Sequence, residues 1–329
     1  MATADVALTG GSGLLGGHLI MSLVEGGQAV RAVVRSDEAA GKVETLGAEP
    51  VVADLFDHDT FRDAVWGIPV LYHVAGVNQT CPDDAGWMDR VNIDGTRAVV
   101  RAAADAGVGR VVYTSSAAAI GEANGMIGTE ATRHSGTYLS RYARSKHLAE
   151  IAAFEEAAEH GVDLVAVSPS SVQGPGRAGG SAKILLYALK AKRPFLVDVK
   201  VSLVDIEDCT AGHIAAAERG RAGERYLLSG STTSVSDLVA MAGAEGGVDI
   251  DPHWLSEGFV RSFGSFGARI AGLVSQDICP DLVATLLHGH RFDGSRAERD
   301  LGIEYTPIEQ TIARTVEWFR AEGLVADDR

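Results

Sequence analysis

The sequence predicts an α/β protein: a doubly wound parallel sheet of the Rossmann type, followed by a smaller, mostly helical substrate domain. Three observations predict it. A glycine-rich run, Thr9-Gly10-Gly11-Ser12-Gly13-Leu14-Leu15-Gly16, joins a short apolar stretch to a helical pattern. Strand-like and helix-like stretches then alternate through the first half of the chain. Reactive and polar residues follow the ends of the strand-like stretches.

Gly10, Gly13 and Gly16 recur every third residue, directly after the apolar residues 6–8 and directly before Leu15, Leu19, Ile20 and Leu23, which mark one helix face. Strand, turn and helix in this order form a phosphate-binding turn. Glycine is needed where the turn is too tight for a side chain, where the backbone touches a pyrophosphate, and where the helix packs on the strand. The pyrophosphate rests on the positive helix N-terminus. Residues 29–34, 51–53, 69–74, 110–114, 164–167 and 225–228 are the further strands, rich in Val, Leu or Tyr, with helices between them such as 92–106 and 142–160. Near-continuous apolar strands separated by helices imply a parallel sheet covered on both faces, with ligands at the carboxyl ends of its strands. Residues 1–169, with 201–230 returning, are expected to form the dinucleotide-binding domain. Residues 170–200 and 231–329 are expected to form the substrate domain.

The strand ends carry the candidate cofactor ligands. Arg35 lies roughly 20 residues past the glycine turn, where an arginine accommodates the 2′-phosphate of NADP and an acid would bind the ribose of NAD. Arg35 favours NADP, while Asp37 and Glu38 leave NAD possible. Asp54 and Leu55 follow the third strand as candidate adenine contacts, and Val74, Ala75 and Gly76 follow the fourth as small residues against the cofactor. The fifth strand closes in Thr114-Ser115-Ser116, with Ser116 placed 26 residues before Tyr142. Tyr142 and Lys146 share a helix face four residues apart, which sets an ammonium beside a phenol and favours its ionised form. Ser116 is placed to hold a substrate carbonyl oxygen against that phenol. Tyr138 is the other tyrosine of the segment, but it has no lysine four residues on.

These motifs, TGGSGLLG, the Ala53-Asp54-Leu55 stretch, HVAG, Val91-Asn92-Ile93-Asp94-Gly95-Thr96, TSS and YARSK, resemble the extended short-chain dehydrogenase/reductase family, also called the NAD-dependent epimerase/dehydratase family. The resemblance runs on through Ser168-Pro169, Gly174-Pro175-Gly176 and Val204 to Asp208. It implies a catalytic set of Ser116, Tyr142 and Lys146, with Tyr142 as acid/base and Lys146 on the nicotinamide ribose. It also implies cofactor contacts from Gly10, Ser12, Gly13, Leu14, Leu15, Gly16, Ser115, Pro169, Ser171 and Val172, and a structural or proton-relay role for Asn92. Many sugar-nucleotide epimerases of the family carry an arginine and an asparagine after the sixth strand for the substrate diphosphate. Here serines stand at 168 and 171, which is nearer the branch of dihydroflavonol reductase, 3β-hydroxysteroid dehydrogenase and bacterial aldehyde or ketone reductases. Arg177, Arg261, Arg269 and Arg291 remain as anion clamps. The expected function is an NAD(P)-dependent hydride transfer between nicotinamide and a small ketone, aldehyde or secondary alcohol. The alternatives are a sugar-nucleotide epimerase or dehydratase using bound NAD, and a non-catalytic dinucleotide sensor.

The chain has 329 residues, 46% hydrophobic and 22% charged, with a net charge of −15. The charge argues against nucleic-acid and anionic-membrane partners. No apolar run suits a membrane span, since residues 268–274 are brief and hold Arg269. Cys81, Cys209 and Cys279, odd in number and far apart, suit reduced thiols, and with no room for a signal peptide they suit a cytoplasmic enzyme. No cluster has metal-ligand spacing; His288 and His290 form an HxH pair without a third ligand, so no metal is expected. Leu255, Phe259, Phe263, Phe266 and Ile270 repeat at helical spacing as one apolar face, and the polar end 327–329 is expected to fray. The helices containing Val100 and Phe154 carry more apolar residues than one buried stripe needs. The family commonly pairs these helices across a two-fold axis, so a homodimer is expected.

Overall fold

The computed structural model describes residues 4–262 and 279–325. Phe263, Phe266 and Ile270 of the apolar face, Arg269 and residues 327–329 lie outside the described residues; Phe259 is exposed.

Seven strands form one parallel sheet: β1 (Val6–Thr9), β2 (Val30–Val34), β3 (Glu49–Val52), β4 (Val70–His73), β5 (Arg110–Thr114), β6 (Leu164–Pro169) and β10 (Arg225–Leu228). Their order is β10-β6-β5-β4-β1-β2-β3, and every pairing is parallel. The chain runs from β1 outward through β2 to β3, then returns to the other side with β4. The order therefore reverses between β1 and β4, and a ligand crevice opens at the carboxyl ends of those two strands. β1, β2 and β6 are buried along their whole lengths, which is why their sequences are apolar runs with no alternation. The third strand begins two residues before the stretch at 51–53 that the sequence predicts.

Helices cover both faces. α1 (Leu14–Glu25) turns Leu19, Ile20 and Leu23 onto Val6, Leu8 and Val30 on one face, alongside α8 (Ile206–Arg219). On the other face α3 (His58–Ala64), α5 (Gly95–Asp105) and α6 (Arg141–His160) pack on Ala7, Leu71, Val111 and Ala166. α2 (Asp37–Thr45) and α4 (Ala85–Asp89) complete the first half. Side chains cap most of these helices: Ser36 accepts from Ala39 N–H, Asp57 from Thr60 N–H and Ser140 from Ala143 N–H. The predicted helix 92–106 is interrupted, because residues Arg90–Asp94 form a π-helical turn before α5 begins.

The segment 201–230 divides between two sheets. Its end, β10, joins the seven-stranded sheet, whereas β9 (Lys200–Asp205) lies between β7 (Ser171–Gln173) and β11 (Ser231–Ser234) in a second sheet. Against this small sheet pack α7 (Ala182–Ala191), α9 (Val235–Gly246) and α12 (Ile308–Ala321), through Leu185, Leu238, Ile312, Val316 and Phe319. β8 (Phe195–Leu196) pairs with β12 (His253–Trp254), and α10 (Pro280–His288) and α11 (Ser295–Leu301) complete the chain's described elements. Asp205 joins the layers: its carboxylate accepts from Thr311 Oγ1 at 2.7 Å and Arg314 Nη2 at 2.6 Å.

Two sequence expectations fail here. Cys81 and Cys279 are not free thiols but a disulfide with Cα atoms 5.8 Å apart, joining positions 198 residues apart along the chain. Distance in sequence sets no bar, because α10 returns to the loop after β4. Cys209 alone is a free thiol among the described cysteines, and burial pushes its pKa up. The apolar surplus read at Val100 is not spare, since Val100 is fully buried in the chain's own core. Most of the apolar residues of α5 and α6 are consumed between those helices and the sheet, and Ile151 is left exposed. Arg97 and Arg101 pair across the two helices with the exposed Glu155 and the buried Glu156. Among the described residues no helix is long and apolar enough to cross a membrane.

Candidate active site

A cavity of about 1710 Å³ runs along the carboxyl ends of the strands, from the glycine turn to α10. Gly10 has φ +77°, and a Cβ there would come within 2.7 Å of the Ala75 nitrogen. A side chain on Gly16 would collide with the Gly10 carbonyl. The turn closes with Gly13 N–H on the Gly10 carbonyl at 3.0 Å. Unlike α2, α3 and α6, α1 has no side-chain cap, and its first turn holds no acidic residue. Its orphan N–H groups and dipole are free for an anion, so the cradle fits a pyrophosphate. Ser12, Leu14, Leu15, Val74, Ala75, Gly76, Thr114, Pro169, Ser171 and Val172 line the same cavity. Ser115 lines it too, and its buried Oγ has no hydrogen-bond partner among the described residues.

At the adenosine end, Arg35 is exposed on the cavity wall. Asp37 is not a lining residue, and Glu38 is engaged by Lys42 at 2.8 Å. Leu55 lines the wall, but Asp54 does not. Its carboxylate turns back to accept the Phe56 N–H at 3.0 Å, the local bond that aspartate makes in turns.

Asn92, given a structural or proton-relay role on the cofactor side by the resemblance, does not line the cavity and is buried behind its wall. Its Oδ1 accepts from Val77 N–H at 2.7 Å, and its Nδ2 donates to Val77 O and Ser145 Oγ at 3.1 and 2.9 Å. The π turn brings its amide to this point, so Asn92 ties the loop after β4 to α6 beside the candidate chemical centre. His73 performs a similar task one layer below. Thr96 spends its proton on the Asn92 carbonyl, so His73 Nε2–H donates to Thr96 Oγ1 at 3.2 Å and Nδ1 accepts from Thr9 Oγ1 at 2.8 Å. Burial, with a contribution from the Lys146 charge, lowers the His73 pKa to about 3.

Ser116, Tyr142 and Lys146 meet in the cavity. Ser116 Oγ hydrogen-bonds Tyr142 and accepts the Ala118 N–H at 3.2 Å. The sequence predicts an ionised phenol beside Lys146. Instead burial raises the Tyr142 pKa, against smaller lowering effects from the Ser116 hydrogen bond and the Arg177 charge. The Lys146 ammonium points elsewhere, to the Thr114 carbonyl at 2.8 Å and the face of Tyr113, with its nitrogen 5.1 Å from the ring centroid. Burial lowers its pKa to about 8, although Glu150 opposes the shift. Tyr138 is outside the cavity lining, with its hydroxyl on His147 Nδ1 at 3.0 Å.

The substrate end includes residues that sequence reasoning left out: Asn78, Gln79 and Trp87 after β4, Leu282 and Leu286 from α10, and Phe292. These arrive from loops and late helices, with no local motif to announce them. Of the anion clamps, Arg177 alone of the described candidates lines the cavity; Arg261 instead donates to the Leu287 carbonyl. His288 and His290 also line it, and Glu122 is the third donor that the HxH pair lacked in sequence.

Residues 7–225 match the 3-beta hydroxysteroid dehydrogenase/isomerase family. The chain belongs to that family. It is 32% identical to a "Putative dihydroflavonol 4-reductase" of Synechocystis sp., over 97% of this chain and 95% of that one. It is 29% identical to cinnamoyl-CoA reductase 1 of Petunia hybrida, over 97% and 92%. A nucleoside-diphosphate-sugar epimerase from Pseudomonas aeruginosa shares the fold at TM-score 0.81, with 23% identity over 99% of this chain and 100% of that one. The chain is thus an NAD(P)-dependent oxidoreductase of the short-chain dehydrogenase type.

Proposed function

We propose that this family member is a carbonyl reductase or alcohol dehydrogenase that prefers NADP and acts on a small ketone, aldehyde or secondary alcohol. The observation that carries the reading is Tyr142, hydrogen-bonded to Ser116 in the cavity with its phenol held protonated. A protonated phenol is the form that gives a proton to a carbonyl oxygen undergoing reduction. Ser116 steadies that oxygen, and Lys146 places a cation on the same helix face. Bound nicotinamide supplies the hydride. The names of the two relatives support a reductase. A panel of carbonyl compounds, followed by nicotinamide absorbance, tests the reading: net NADPH consumption supports it, and no net turnover with any of them counts against it.

A sugar-nucleotide epimerase is less well served by these side chains. Ser168 is buried in β6 and Ser171 hydrogen-bonds Ser181, so neither brings charge to a diphosphate, and Arg177 is left as the described clamp in the cavity. Cofactor retained through purification, with no net redox turnover, would favour the epimerase.

Cofactor choice rests on Arg35. A charge-assisted contact to a 2′-phosphate contributes roughly 1.5 to 3 kcal/mol, so Arg35→Ala raises the KM for NADPH about tenfold to a hundredfold and leaves NADH nearly unchanged. A wild-type preference for NADH overturns the assignment. We also propose pairing of two chains through α5 and α6, where the apolar Ile151 stays 39% exposed. Ile151→Arg then converts a light-scattering dimer to a monomer, and a wild-type monomer at high micromolar concentration removes the proposal.

A further inference from the structure

Glu122 is buried to 4% exposure on the cavity wall, and among the described residues its ion-pair partners are two imidazoles. Its Oε1 lies 2.6 Å from His290 Nδ1 and 3.4 Å from His288 Nε2, and the three donor atoms all fall within 4.8 Å of one another. A carboxylate removed from water needs a cation beside it. A metal ion held jointly by the carboxylate and the two rings supplies one.

The three donors are fixed before any ligand arrives. His288 is the last residue of α10, and Gly289, at φ +66°, reverses the chain so that His290 faces back to the same carboxylate. The His290 carbonyl accepts from Ser202 Oγ at 3.3 Å, and its ring stacks on Phe292 with centroids 5.5 Å apart. Gly128 brackets the segment, donating to the Arg291 carbonyl at 2.8 Å and accepting from Asp293 N–H at 3.0 Å.

We propose that Glu122, His288 and His290 form a binding site for a zinc-like divalent cation, with an open coordination position facing the substrate cavity. Two imidazole nitrogens and one carboxylate oxygen form a donor set that zinc accepts in sites that keep a fourth position for water or substrate. Metal–ligand bonds of about 2.0 to 2.1 Å place tetrahedral donor atoms roughly 3.3 Å apart. The 3.4 Å pair already has this spacing, and the 2.6 Å pair opens by under about 1 Å to reach it. The open position takes an oxygen of the substrate at the end of the cavity away from the glycine turn. The site is independent of the reductase reading, since cation binding is measured without turnover.

Purified protein is stripped with chelator, dialysed against ZnCl₂ and assayed by elemental analysis and by titration calorimetry. The expected result is one zinc per chain. Glu122→Gln, which keeps shape and a hydrogen-bonding oxygen, and His290→Gln each weaken it at least about tenfold while the melting profile of the chelated protein stays unchanged. A second cluster, Glu156, Glu159 and His160, is the competing location. His160→Ala leaves the zinc in place if the proposal holds. Absence of stoichiometric zinc in the wild type, binding unchanged in both Gln variants, or loss of zinc in His160→Ala overturns it.

Discussion

Tyr142→Phe lowers turnover on the order of a hundredfold to ten-thousandfold and leaves cofactor affinity close to wild type. The substitution keeps the ring in its packing and deletes the proton and the hydrogen bond to Ser116. Because burial holds the phenol protonated, the enzyme is poised for reduction at neutral pH. Oxidation needs the phenolate, so its rate rises with pH across the neutral range while the rate of reduction does not. Lys146, with its pKa lowered to about 8, adds a second limb: its positive charge is lost as the pH climbs through about 8. Steady-state rates in both directions between pH 6 and pH 10 check this. Near-normal turnover in the phenylalanine variant would remove Tyr142 from the chemistry.

Acid weakens the fold well before the carboxylates titrate. His73 and His213 are buried at 1% and 0% exposure, and burial lowers their pKa values to about 3 and about 4. His213 is locked neutral, since Nδ1–H donates to the Cys209 carbonyl at 2.7 Å and Nε2 accepts from Thr114 Oγ1 at 3.1 Å. In the unfolded chain both rings titrate near 6.5. Between about pH 6.5 and pH 4 the unfolded state binds protons that the native state refuses, so stability is full above that window and falls as the pH drops through it. At pH 5 each ring costs about 2 kcal/mol, or about 4 kcal/mol together. Urea denaturation at pH 7.5 and pH 5 reads the difference directly. His213→Gln, which removes one titrating ring, lowers the dependence by about 2 kcal/mol. A midpoint that does not move between the two pH values contradicts the burial of both rings.

What could be read from the sequence was local. The glycine turn, Ser140 capping α6, the strand ends at Thr114-Ser115-Ser116 and the four-residue step from Tyr142 to Lys146 all depend on neighbours within a turn or two, and the structure places them in one cavity. What could not be read depended on distant partners or on small backbone choices. The carboxylate of Asp54 is diverted by an amide two residues away, and the ammonium of Lys146 by the Thr114 carbonyl on β5. Cys81 finds Cys279, and Glu122 finds two histidines more than 160 residues later, because α10 returns over the site. No periodicity records such meetings. Val100 misled for a related reason: the pattern shows that a helix is apolar, not which of its neighbours takes up each face.

The strand order also bears on how the molecule is made. β6 is buried along all six residues, and its outer neighbour, β10, ends at Leu228. During synthesis the edge of β6 therefore waits, unpaired and apolar, while some 60 further residues emerge. A fragment ending before 225 carries that raw edge permanently and is expected to aggregate even though its nucleotide-binding half is complete. The shortest piece worth expressing is one that includes β10.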